Sequence, residues 1–131
     1  MNRIALRPYQ ERAIERLRAH TRAGARRLLI VAPTGAGKTT IAASLIVDAI
    51  ALGQRVLFVA HRRELITQAY RRLIQMGLPE HTVGVIMGAD ARRRPGAMVQ
   101  VASIDTLVKS LFLCECLTRE HRAPVVHAAA A

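Results

Sequence analysis

The stretch Ala32-Pro33-Thr34-Gly35-Ala36-Gly37-Lys38-Thr39-Thr40 decides how this chain is read. An apolar run, Leu28-Leu29-Ile30-Val31, leads into it, and a helix-forming run, Ile41-Ala42-Ala43-Ser44-Leu45-Ile46, leads out. A strand, a glycine-rich turn and Lys-Thr at the head of a helix form a cradle for a nucleoside triphosphate. The turn's backbone N–H groups, the positive end of the helix dipole and the Lys38 ammonium all suit phosphate oxygens. Thr39 places a hydroxyl where a Mg²⁺ carried with the triphosphate takes an oxygen ligand. Pro33, Thr34, Gly35, Ala36, Gly37, Lys38, Thr39 and Thr40 are therefore the candidate nucleotide-binding residues. Gly35 and Gly37 stand where a side chain would strike the phosphates or forbid the backbone angles. One position departs from the strict pattern, which has glycine where this chain has Ala32.

Outward from that turn, strands and helices alternate. Residues 8–23 read as a first helix, with Pro8 in the first turn, Ala13, Ile14 and Leu17 as its apolar stripe, and Gly24 closing it. Residues from 26 or 27 to 31 read as the first strand, apolar throughout as in a sheet covered on both faces. A helix over 38–52, a strand over 55–60, a helix over 64–76 and a strand over 82–87 follow. A basic loop at 88–96 leads to a strand at 98–102, and Ser103 is placed to cap a last helix over 104–113. The pattern predicts an α/β fold with a parallel sheet and flanking helices. Residues 114–131 lose this periodicity, so the organisation expected is a domain over 1–113 and a degenerate or disordered tail.

The chain is 131 residues long, enough for one domain with a real core. Its formal charge is +11, from 20 Lys+Arg against 9 Asp+Glu, which favours a polyanion as partner. Only Lys38 and Lys109 are lysines. No run of about 18 apolar residues predicts a membrane span, and the first residues lack a signal peptide's apolar stretch. A cytoplasmic protein with no membrane partner is expected. Cys114 and Cys116 are too close for an ordinary disulfide. With His121 and His127 they match no standard zinc spacing.

Four stretches in order now carry a resemblance, covering roughly residues 5–112. They are Leu6-Arg7-Pro8-Tyr9-Gln10, the phosphate turn, Phe58-Val59-Ala60-His61-Arg62-Arg63-Glu64-Leu65-Ile66-Thr67-Gln68 and Val99-Gln100-Val101-Ala102-Ser103-Ile104-Asp105-Thr106-Leu107. Together they resemble the N-terminal RecA-like lobe of DEAD/DEAH-box helicases of superfamily 2, closest to the DNA-translocating branch that includes restriction-enzyme motors. The resemblance accounts for Ala32, since these helicases typically carry alanine there. It implies that Gln10 reads adenine, and an amide does offer the matching donor and acceptor. It further implies that His61, Arg62, Arg63, Ser103 and Thr106 touch the nucleic-acid backbone, with DNA favoured over RNA. ATP and Mg²⁺ are the implied cofactors.

Hydrolysis needs an aspartate for Mg²⁺ and a neighbouring glutamate for the attacking water. The family's Asp-Glu-x-His motif has no counterpart here: none of the 9 acidic residues forms an Asp-Glu pair. Where that motif is expected, the chain reads Arg122-Ala123-Pro124-Val125-Val126-His127. Glu115, after an apolar run, comes too soon and lacks an aspartate. No catalytic residue is assigned. The reading is an ATP- and nucleic-acid-binding lobe that hydrolyses ATP poorly alone, a fragment whose remainder a separate chain could supply. The alternatives are a basic nucleic-acid-binding module, a gene remnant, or a small P-loop kinase with Arg92-Arg93-Arg94 as its lid. Uncovered apolar faces and strand edges are the expected structural cost.

Overall fold

The computed structural model describes residues 5–109 and the strand at 125–127. Helix α1 spans Pro8–Arg22, α2 Lys38–Ala51, α3 Arg63–Gln75 and α4 Ile104–Lys109. The strands are β1 Val56–Ala60, β2 Val83–Ile86, β3 Val99–Ser103 and β4 Val125–His127, with a short 3₁₀ turn at Glu80–Thr82 before β2. The sheet runs β2-β3-β1-β4, and every pairing is parallel. This is the α/β architecture of a partial RecA-like lobe.

Strand alternation builds the core. Val56, Phe58 and Ala60 of β1, Val83 and Val85 of β2, and Val99 and Val101 of β3 join one cluster. Residues two apart share a sheet face, so these positions form one continuous apolar surface. Helix α2 covers it with Ala43 and Ile46, and α3 with Ile66, Ala69 and Leu73. The other face of β3 is buried too, through Gln100 and Ala102, as expected of parallel strands. Helices α1 and α2 are joined by an Arg18–Asp48 ion pair.

The free edge of β2 is covered by its own following loop. The Val85 N–H donates to the Arg92 carbonyl at 3.0 Å, and an Arg94 guanidinium nitrogen donates to the Val83 carbonyl at 3.2 Å. Gln100 Nε2 donates from beneath to the carbonyls of Arg94, Pro95 and Ala97. Gly84 is required here: a Cβ would lie 2.6 Å from Gln100 Oε1 and 2.8 Å from the Arg94 carbonyl.

One predicted element is corrected. Residues from 26 or 27 to 31, expected as the first strand, join no ladder among the described residues. Leu29 and Val31 are each 88% exposed, while Leu28 and Ile30 are partly covered. Apolar, β-branched sequence supplies the tendency to be a strand, but a ladder needs a neighbour's N–H and C=O groups. That neighbour is absent among the described residues. The tail gives the opposite surprise: Val125–His127, read as aperiodic, lie parallel against Leu57, Phe58 and Val59. The predicted continuation of α4 over 110–113, Glu115 and the Cys114, Cys116 and His121 group lie outside the described residues.

Candidate functional site

The phosphate turn closes as the sequence requires. Gly35 and Gly37 both adopt left-handed backbone, with φ of 81° and 75°. Gly37 is the N-cap of α2, so Lys38 is the helix's first residue and its unpaired N–H groups face the turn. The Ala36 N–H donates to the Pro33 carbonyl at 3.2 Å, holding the turn closed. Lys38 and Thr39 are half-buried and Thr40 is buried, whereas Pro33, Thr34 and Gly35 are open to solvent.

Helix α1 reaches over to this turn. Tyr9 Oη donates to the Ala36 carbonyl at 2.9 Å, and Gln10 Nε2 donates to the same oxygen at 3.1 Å. Gln10 Oε1 accepts from the Arg7 N–H at 2.9 Å, which caps α1. Gln10 is thus buried, at 5% exposure, with both ends of its amide engaged by the chain itself. In this structure the Gln10 amide ties the turn to α1, and the second donor and second acceptor site that any amide has are the ones the adenine-reading role drawn from the resemblance would use. Gly37 makes room for it: a Cβ there would stand 2.3 Å from Gln10 Nε2.

A second group gathers at the carboxyl ends of β1, β2 and β3. Ala60 and Ser103 are register partners, so the segments leaving β1 and β3 start side by side. His61, Arg62 and Arg63 are exposed there, with Arg62 the N-cap of α3 and Arg63 its first residue. Ser103 is buried as the last residue of β3. Thr106 Oγ1 accepts from the Gly88 N–H at 3.1 Å, tying the loop after β2 to α4. Its hydroxyl proton stays available to a phosphate oxygen. Among the described residues no hydrogen bond links 33–40 to His61, Arg62, Arg63, Ser103 or Thr106.

Sequence reasoning missed the clasp that shapes this second group. Asp90 accepts from Arg92 through both carboxylate oxygens, at 2.8 Å from Nε and 2.6 Å from a terminal nitrogen. The guanidinium lies 5.0 Å from the centroid of the Tyr70 ring on α3, a cation–π distance. The hydrogen bonds from Arg92 hold Asp90 down at about 2, below its ordinary 3.8, with Arg63 adding a smaller pull. Arg92 is pushed up in turn by Asp90. The loop therefore does not present three free arginines: Arg92 and Arg94 are spent on the fold, and Arg93 is exposed. A kinase lid built on Arg92-Arg93-Arg94 loses two of its three cations. An acid two residues before an arginine was the available clue, but it does not identify Tyr70 as the third member.

The chain belongs to the type III restriction enzyme res-subunit family. The family profile matches residues 3–126, nearly the whole chain and both groups described above. Membership in the res-subunit family supports a helicase-type domain that uses ATP and engages nucleic acid in general terms. No curated protein matches the chain. Among the described residues of this res-subunit relative, no helix is long and apolar enough to cross a membrane.

Proposed function

We propose that this chain is the ATP-binding, nucleic-acid-binding lobe of an ATP-dependent DNA helicase or translocase. One observation carries the reading: Gly37 in left-handed backbone directly precedes Lys38 at the head of α2, within a matched helicase-type region. That arrangement points backbone donors, a helix dipole and an ammonium at one place, which suits a triphosphate. Lys38 binds the β- and γ-phosphates, with Pro33, Thr34, Gly35, Ala36, Gly37 and Thr40 completing the cradle. His61, Arg62, Arg63, Ser103 and Thr106 hold a nucleic-acid backbone at the strand ends. DNA is preferred, in keeping with the restriction-enzyme family.

Thr39 fits a magnesium ion as one oxygen ligand in the first turn of α2, with the triphosphate supplying others. Bound there, the ion would screen phosphate charge. Among the described residues no three His, Cys, Asp or Glu side chains gather as a metal site. Without an Asp-Glu pair in its 131 residues, the chain lacks the usual groups for positioning the attacking water. It should therefore bind ATP and hydrolyse it poorly.

Calorimetric titration with magnesium ATP tests the binding half. Lys38→Ala should weaken binding by roughly 10- to 100-fold, the scale of a lost charged hydrogen bond, with an unchanged thermal midpoint. Steady-state hydrolysis that disappears in Lys38→Ala would contradict the hydrolysis half. The +11 charge favours a second reading, a basic module indifferent to nucleotide. Salt-dependent DNA binding by a chain that takes up no ATP would establish it.

A further inference from the structure

Among the described residues, the Ala36 carbonyl is the one oxygen of the phosphate turn that receives two side-chain donors from another element, Tyr9 and Gln10 of α1. Its position matters because a trans peptide is rigid and planar: the C=O of one residue and the N–H of the next point in opposite directions. No cis peptide occurs among the described residues. Fixing the Ala36 oxygen toward α1 therefore fixes the Gly37 N–H away from α1. Gly37 is left-handed, so its backbone has freedom that other residues lack, and an external restraint on this peptide plane has something to restrain. The next residue is Lys38.

We propose that Tyr9 is a positioning residue for the phosphate turn, its hydroxyl acting through the Ala36 carbonyl to aim the Gly37 N–H at a bound triphosphate. This rests on the triphosphate reading of the turn given above. Tyr9 need not touch the nucleotide, and its effect is blind to the base. The hydroxyl is separable from the packing: Tyr9 is 38% exposed and its ring borders an open cleft with Ala13, Ile30 and Ile41. Gln10 is the less clean probe, since it is buried and fills the space beside Gly37.

Tyr9→Phe removes the hydroxyl alone, and inorganic tripolyphosphate is a ligand with no base. Calorimetric titration of the 131-residue chain with magnesium ATP and with magnesium tripolyphosphate separates the possibilities. Both ligands should bind Tyr9→Phe more weakly than wild type by the same factor, about three- to tenfold for one lost hydrogen bond. The ligand-free thermal midpoint should not move. Equal affinities in wild type and Tyr9→Phe would overturn the proposal, as would a loss confined to ATP, which would make Tyr9 a base contact. A lowered ligand-free midpoint would make its role merely structural and overturn it as well. If wild type binds neither ligand, the triphosphate reading itself falls and takes this inference with it.

Discussion

At the ends of β1, β2 and β3 the candidate nucleic-acid residues stand on strands that are buried almost throughout. The phosphate turn stands on residues 28–31, where Leu29 and Val31 are 88% exposed. The two regions carry comparable apolar sequence, Leu28-Leu29-Ile30-Val31 against Val56-Leu57-Phe58-Val59. What differs is the company. β1 has β3 on one side and β4 on the other, with α3 across its face. Residues 28–31 have no described strand beside them, so the turn's position is held from α1 through Tyr9 and Gln10. Covering each of the exposed apolar side chains would contribute about 1.5–3 kcal/mol, which the described structure does not collect. The platform is thus rooted in the core, and the phosphate turn is moored by hydrogen bonds.

The sharpest way to break this comparison is Gly84→Ala, at the root of the platform. A Cβ there must displace Gln100 or the Arg94 carbonyl, so urea titration should show a loss of about 1–3 kcal/mol, as for overpacked cores. No loss would mean that the 88–97 loop is not locked to the sheet. Next in size is Arg63→Ala, which should weaken duplex DNA binding without lowering stability. It should also reduce the slope of log affinity against log salt by about 0.9, the mark of one lost phosphate contact. An unchanged slope would take Arg63 out of the interface.

The Asp90–Arg92 clasp should respond to acid in a defined window. Its carboxyl sits at about 2 in the folded chain, below the ordinary 3.8, so folding favours the ionised form. The clasp's contribution is complete above the ordinary value and is lost as pH falls through about 2. The Asp90 carboxyl carbon followed by NMR should titrate at that low midpoint, and a midpoint near 3.8 would show the clasp open in solution. The smallest effect belongs to Leu29→Lys. At an 88% exposed position it should change unfolding by no more than about 0.5 kcal/mol. A larger loss would mean that residues 28–31 are covered in solution, most simply by a second copy, and size-exclusion chromatography of wild type would then show self-association.

Residue pattern alone determined a good deal. The parallel α/β class, three of the four described strands, helices α1, α2 and α3 to within a residue, and the left-handed glycines of the phosphate turn were all legible. Each depends on short-range chemistry: apolar period, glycine's freedom and helix-end residues act over a few neighbours. Only the tertiary structure decided that residues 28–31 join no ladder among the described residues and that Val125–His127 lie beside β1. It alone turned the Gln10 amide onto Ala36, and it divided Arg92-Arg93-Arg94 into two anchors and one exposed cation. Those outcomes depend on partners distant along the chain. A strand's neighbour, or a polar side chain's, is set by where the backbone brings two remote segments together, and local pattern carries no record of that meeting.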